Sequence, residues 1–185
     1  MNGRAVATPE VGDGTRAAVR PGVRPGVRPG IRPGIRLGVD VGTVRVGVAV
    51  SDSGGVLAAP VETVHRGAAA SRADLARLAE LVTERGAMEV IVGLPLSLSG
   101  AAGHAAQAAL EYARDLAVLV APVPVRVVDE RLSTVAAHGQ LQAAGRRSRA
   151  RREIVDQAAA VIILQAALDS EAASGRPPGE VVSAS

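Results

Sequence analysis

The chain lacks cysteine, phenylalanine and tryptophan, and it has a single tyrosine among its 185 residues. Without cysteine it can form neither a disulfide nor a thiolate metal site. With Tyr112 as its only aromatic residue, it cannot read single strands by stacking bases on a row of rings. No apolar run reaches the roughly 18 residues that span a bilayer, and no apolar segment typical of a secretory signal follows the N-terminus. We therefore expect a cytoplasmic protein that does not enter membranes.

Hydrophobic residues nevertheless make up 48% of the chain, enough for a core of valine, leucine, isoleucine and alanine. The net charge of +3 is spread unevenly. Residues 1–36 hold seven arginines against two acidic residues, a net +5, whereas the remaining fourteen arginines and sixteen acidic residues give −2. The overall basic balance therefore partly reflects the first 36 residues and is not by itself a sign that the domain binds nucleic acid.

A four-residue repeat, VRPGVRPGVRPGIRPGIR, runs from residue 19 to residue 36. Proline and glycine at this density favour neither a helix nor a regular strand. We predict a disordered basic arm over residues 1–34, one folded domain over 35–170, and a flexible tail over 171–185. Two roles stay open for the arm: loose contact with phosphates, or a dispensable low-complexity extension.

The folded part predicts three antiparallel strands followed by alternating helices and strands. The runs IRLGVDV and RVGVAVS suggest a hairpin, and VLAAPVETV a third strand in which Pro60 favours an edge or a bulge. The later elements are a helix from Ser71 to Gly86, a strand MEVIVGLP, a helix over 101–120, a strand over 123–128, a helix from Ser133 or Thr134 to Ala144, and a helix over 154–170. This order predicts an α/β fold with a mixed five-stranded sheet, helices on both faces, and the first strand beside the fourth.

Carboxylates occupy positions that such a sheet would bring together. Asp40 interrupts the apolar first strand, Asp129 and Glu130 follow the run VRVV, and Asp156 lies early in the last helix, where alanines would allow a close approach to the sheet. Converging carboxylates repel one another unless protons or cations intervene. Hard oxygen ligands suit Mg²⁺ or Mn²⁺, and such an ion can activate water for phosphodiester hydrolysis. We therefore interpret Asp40 as a metal ligand.

Each acid also has a simpler interpretation. Asp40 would be a strand-end turn residue, Glu130 a surface acid, and Asp156 a first-turn acid favoured by the helix dipole. Taken singly, the simpler interpretation is the stronger one for Glu130 and Asp156. It is the weaker one for Asp40, because Val39 and Val41 flank it within an apolar run.

Four segments in order, GVDVGTVRVGVAVSD, IVGLP, VDERLST and VDQAAAVIILQ, resemble the motifs of the YqgF/RuvX family of pre-16S rRNA nucleases, formerly described as Holliday junction resolvases. The resemblance covers about Arg36 to Asp169. It implies a ribonuclease H-like fold, a metal-dependent endonuclease, and Asp40, Glu130 and Asp156 as the catalytic, metal-binding acids. Asp129 would either assist Glu130 or cap the strand.

Glycines and arginines near these acids are candidates for contact with nucleic acid. Gly42 and Gly93 remove side chains where a phosphate backbone could approach, or they serve only hairpin and strand geometry. Arg131 could contact the scissile phosphate or pair with Asp129. A basic segment predicted as a loop could clamp phosphates, since arginine suits bidentate phosphate contacts, or could simply be solvated. Its arginines are Arg146, Arg147, Arg149, Arg151 and Arg152.

The expected partner is structured RNA, namely pre-16S rRNA, or branched DNA, with a homodimer if the substrate is two-fold symmetric. Two alternatives to an rRNA nuclease remain: a Holliday junction resolvase, and a non-catalytic module for ribosome assembly or transcription. The three acids argue against a pure binding module. The sequence DVGT also fits sugar-kinase-like ATPases, but those chains are far longer and need a second lobe, so we reject that class.

Overall fold

The computed structural model describes residues 26, 28–67, 71–96, 103–132 and 149–184. For residues 132 and 149–155 it describes the backbone alone. The strands are β1 (Arg36–Val41), β2 (Arg45–Ser51), β3 (Ala58–His65), β4 (Glu89–Leu94), β5 (Val125–Asp129) and β6 (Glu180–Val181). The helices are α1 (Ala73–Arg85), α2 (His104–Val120) and α3 (Arg149–Ser174), and a 3-10 turn covers Glu130–Leu132.

The strands form one mixed sheet in the order β3-β2-β1-β4-β5-β6. Strand β1 pairs antiparallel with β2 and parallel with β4, while β5 pairs parallel with β4 and antiparallel with β6. The predicted mixed sheet and the central first strand beside the fourth are confirmed. The sixth strand was not predicted, because two residues are too short to show an alternating pattern.

Alternate residues of each strand face opposite sides of the sheet, as the period of two requires. Leu37 and Val39 of β1 belong to a core that α1 and α2 cover, together with Leu78 and Leu116. The other face packs against α3 through a second buried cluster that includes Ile91, Val128, Ile163 and Leu164. Helices therefore cover both faces, as predicted.

Several predicted element ends can be compared with the structure. Strand β3 lies at the sheet edge, and its pairing with β2 shifts register where Ala49 meets Pro60, which confirms both the edge and the bulge. Gly86 ends α1, as predicted, and it adopts the left-handed conformation. The predicted start at Ser71 is wrong, because α1 begins at Ala73 and Arg72 occupies the N-cap position.

The last helix is longer than predicted at both ends, running over 149–174 rather than 154–170. The basic segment predicted as a loop over 145–152 is therefore helical from Arg149 onward. The predicted helix from Ser133 or Thr134 to Ala144 lies outside the described residues. No helix in the described part of the chain is both long and apolar enough to cross a membrane.

Residues 28–34, called the strap below, pack against the domain although the arm was predicted to be disordered through residue 34. Ile31 is 7% exposed within the core cluster beneath α3. Gly30 has a φ of +83°, and a Cβ there would lie 2.4 Å from the main-chain oxygen of Ala172. The boundary therefore falls earlier than predicted, because the repeat supplies an apolar residue and a glycine at positions that fit α3. Residues 1–25 and 27 lie outside the described residues.

Charged side chains meet where the parallel strands begin, and we call this group the ion-pair edge. Its members are Arg32, Arg36, Glu89, Arg126 and Glu171. Arg32 Nε lies 2.7 Å from Glu171 Oε1, and Arg36 Nη2 lies 3.0 Å from Glu171 Oε2. Glu89 lies 2.8 Å from Arg32 Nη2 and 2.7 Å from Arg126 Nε. The predicted flexible tail thus begins with a buried acid, Glu171, and continues into β6.

Candidate active site

Helix α3 crosses the sheet directly over two strand glycines. A Cβ added to Gly47 would lie 2.0 Å from the main-chain oxygen of Asp156, and one added to Gly38 would lie 2.6 Å from Cβ of Leu164. Ala160 is fully buried at the same contact. The helix backbone therefore lies closer to the strands than any strand side chain would permit. The close approach that the alanines predicted is confirmed.

Asp40 lies in the second half of β1 and is half-buried. Its pairing partner across the antiparallel ladder is Gly47, the glycine on which the backbone of Asp156 rests. Because side chains alternate along a strand, Asp40 projects to the same face as Gly38, the face that α3 covers. The fold therefore brings Asp40 and Asp156 to one edge of one face.

The carboxylate of Asp156 pairs with Arg45, the first residue of β2. Arg45 Nε donates a hydrogen bond of 2.5 Å to Asp156 Oδ2, and the two side chains are 19% and 25% exposed. Sequence reasoning did not place Arg45 in the site. Strand alternation could have done so, because Arg45 and Gly47 are two residues apart and share a face.

Glu130 follows β5 in the 3-10 turn and folds back over β4. A Cβ at Gly93 would lie 2.5 Å from Glu130 Oε1 and 2.6 Å from Cδ1 of Ile163. Gly93 therefore leaves room for the Glu130 carboxylate, and an approach of phosphate there stays a prediction. Burial raises the pKa of Glu130, and the negative charge of Asp129 raises it further.

Asp129 and Arg131, which flank Glu130 in the sequence, form an ion pair with each other. Arg131 Nε lies 2.9 Å from Asp129 Oδ2 and 3.0 Å from Oδ1. The hydrogen bonds from Arg131 hold the pKa of Asp129 below its usual range. Of the two roles left open for Arg131, the pairing is thus present, while contact with a phosphate stays a prediction.

Gly42 serves the geometry of the hairpin between β1 and β2. Its N–H donates a 2.9 Å hydrogen bond to the main-chain oxygen of Arg45, and an added Cβ would lie 2.7 Å from that oxygen. This is the simpler of the two roles considered for this glycine. The backbone of Arg149, Arg151 and Arg152 is helical at the start of α3, while Arg146 and Arg147 lie outside the described residues. The phosphate clamp stays a prediction.

The donor set at this edge has the chemistry of a site for a hard cation. Asp40, Glu130 and Asp156 offer only oxygen, which suits Mg²⁺ or Mn²⁺. Within the described ranges, no three Asp, Glu, His or Cys side chains stand close enough together to form a group that could hold a metal ion. Asp156 is one of these donors and already pairs with Arg45, so this pair affects how a cation could be held.

Comparison with known proteins gives a consistent result. A family model described as "RuvX: Holliday junction resolvase" matches residues 34–170. A relative from Leifsonia xyli named "Putative pre-16S rRNA nuclease" is 55% identical over 143 residues, covering 77% of this chain and 90% of the relative. A protein of the same name from Thermobifida fusca is 53% identical over 150 residues, covering 77% and 92%.

A solved structure, T. thermophilus RuvC in complex with a Holliday junction substrate, has a similar fold. It superimposes with a TM-score of 0.51 at 15% identity, covering 78% of this chain and 99% of RuvC. At this identity the likeness concerns the fold alone, and it confirms the predicted ribonuclease H-like architecture.

Proposed function

This chain belongs to the RuvX family, and from that premise we propose that it is a metal-dependent endonuclease that processes the 5′ end of pre-16S rRNA in the cytoplasm. The observation that supports the proposal is that three acids lie at the same end of one face of the sheet. Asp40 pairs with Gly47, the backbone of Asp156 rests on Gly47, and Glu130 occupies the space over Gly93 on the same face. Relatives named as pre-16S rRNA nucleases support the choice of substrate.

Asp40, Glu130 and Asp156 would hold a Mg²⁺ or Mn²⁺ ion, since carboxylate oxygens are the donors that such ions prefer. The bound ion would supply activated water and stabilise the charge that develops on the phosphate. Burial and the charge of Asp129 raise the pKa of Glu130, and a nearby cation would favour its ionised form.

The chain's own residues fix where these acids stand. The backbone of α3 rests on Gly47, which determines the height of Asp156 above the sheet, and Gly93 leaves space for Glu130. Such supports hold catalytic groups within the narrow tolerance that catalysis requires. Arg131 and the arginines at the start of α3 would contact phosphates, so binding should weaken as salt rises.

The test is a cleavage assay on an RNA that spans the 5′ end of pre-16S rRNA, with Mg²⁺, with Mn²⁺ and with chelator. Asp40→Asn should lower the rate by about 10²–10⁴-fold, since losing several kcal/mol of stabilisation by the metal has that effect. Asp169→Asn, which alters an exposed acid at the other end of α3, is the matched control and should cut normally. Wild-type rates for Asp40→Asn would contradict the assignment.

A four-way DNA junction is the second candidate substrate. The description of the matching family and the fold shared with RuvC favour it. Cutting of the junction but not the RNA would move the protein to DNA repair with the same acids in the same roles. A two-fold symmetric junction would also require a homodimer, which sedimentation can measure. Binding of RNA without any cleavage would favour a non-catalytic assembly module.

A further inference from the structure

The pair between Arg45 and Asp156 joins two residues whose backbones are held firmly. Arg45 begins β2, pairs with His65 of β3, and accepts a hydrogen bond from the N–H of Gly42. Asp156 is seated on Gly47 through its main-chain oxygen. The contact is therefore fixed from both sides, unlike an ion pair between two long side chains on the surface.

The environment strengthens this contact. With side chains 19% and 25% exposed, both charges are partly withdrawn from water, where attraction exceeds that of a surface pair. Arg45 donates from Nε to Oδ2, and a planar guanidinium restricts the direction in which the carboxylate points. Arg45 thus determines the orientation of an acid assigned to the metal site.

Two positive groups would compete for this carboxylate if Asp156 also bound a divalent ion. An ion beside Asp156 repels the guanidinium, and the guanidinium disfavours the ion to the same extent. We propose that Arg45 is a positioning residue: it pairs with the Asp156 carboxylate when no divalent ion is bound, and this pair breaks when the ion binds. This inference rests on the metal site of the proposed function.

The first measurement is Mn²⁺ affinity by calorimetry in the full-length protein. Arg45→Met should bind Mn²⁺ about five- to tenfold more tightly, as expected from removing roughly 1 kcal/mol of competition. Arg45→Lys keeps the charge and should stay near the wild type. In an Asp156→Asn background the same Arg45→Met change should have no effect on affinity, since the carboxylate in dispute is absent.

The second measurement is hydrogen exchange of the amides at positions 157–160, followed by mass spectrometry. With chelator, Arg45→Met should exchange about five- to tenfold faster than the wild type, because the start of α3 has lost an anchor. With saturating Mg²⁺ the difference should fall below about twofold. A purely structural role for Arg45 would leave the difference the same in both conditions. Arg45→Gln, which retains a hydrogen-bond donor, replaces Arg45→Met if that variant fails to fold.

The outcomes separate this inference from the proposed function. Unchanged or weaker Mn²⁺ binding by Arg45→Met, or an exchange difference that persists in Mg²⁺, overturns the role of Arg45. A wild type that binds no Mn²⁺ overturns the metal site itself. Cleavage of RNA that proceeds in the presence of chelator would do the same, whatever Arg45 does.

Discussion

The sheet face beneath α3 carries clustered charges at both of its ends, but the two clusters differ in how far they are buried. At the ion-pair edge, Arg36 and Glu89 are fully buried and Glu171 is 1% exposed. At the opposite end, which we call the carboxylate edge, Asp40, Asp129, Glu130 and Asp156 are all only partly buried. The charges of the ion-pair edge are thus largely removed from solvent, whereas those of the carboxylate edge remain accessible to it.

Internal pairing explains the closed end. Burial alone would raise the pKa of Glu171, but hydrogen bonds from Arg32 and the charge of Arg36 outweigh it and hold the pKa below the usual range. The hydrogen bond to Glu171, together with the charge of Glu89, likewise raises the pKa of Arg32. Buried charges persist only when such partners satisfy them. We therefore expect the ion-pair edge to govern stability and the carboxylate edge to govern catalysis, and three experiments test that division.

Removing the strap should have the largest effect on stability. Deleting residues 1–34 removes Ile31 from the core and Arg32 from Glu171, so we expect a loss of more than about 5 kcal/mol in the free energy of unfolding. Deleting residues 1–25 leaves the strap in place and is the matched control. Urea unfolding measures both. Equal stability of the two deletions would show that the strap is dispensable.

Glu171→Leu should have the next largest effect, because it removes one of the two buried acids, Glu171 and Glu89, that Arg32 and Arg36 share. Removing one partner of a buried ion pair costs about 3–5 kcal/mol. Asp169→Ala alters an acid on the same helix that is 53% exposed and pairs with Arg28, so it should cost no more than about 1 kcal/mol. Thermal or urea unfolding compares them. If both variants lost the same small free energy of unfolding, the buried acid at the ion-pair edge would matter no more for stability than the exposed one.

Gly47→Ala should have the smallest effect on stability but a clear effect at the carboxylate edge. The added methyl group would lie 2.0 Å from the main-chain oxygen of Asp156, so α3 must shift, at about 1–3 kcal/mol. Cleavage should fall by about 10²-fold, the cost of a displacement near 1 Å. Gly103→Ala, with nothing within 4 Å of the new Cβ, is the control. Full activity of Gly47→Ala would mean that the contact between Gly47 and the backbone of Asp156 is not critical for cleavage.

Local patterns in the sequence indicated two features of the carboxylate edge. Asp40 stands out against the valines beside it, and the alanines near Asp156 indicated a close helix–sheet contact. Arg45 was missed although strand alternation places it on the same face as Gly47. Its partner lies 111 positions away along the chain, and no local pattern records such a pairing.

The ion-pair edge could not be predicted in the same way. Arg32 and Glu171 are 139 positions apart, and the repeat that contains Arg32 has the composition of a disordered segment. Composition averages over positions, whereas the strap depends on Ile31 and Gly30 standing at particular places against α3. Strand β6 escaped prediction for a different reason, since its two residues carry no periodic signal.

Helix α3 connects these two edges as one continuous helix. Asp156 and Glu171 are 15 residues apart on it, which at 1.5 Å per residue is about 22 Å. A tilt of about 5° around the Glu171 end would move Asp156 by roughly 2 Å, more than a catalytic group tolerates. Substitutions in the strap that leave the protein folded can therefore silence the nuclease from afar. A mutational scan scored by activity alone would count such positions as part of the active site.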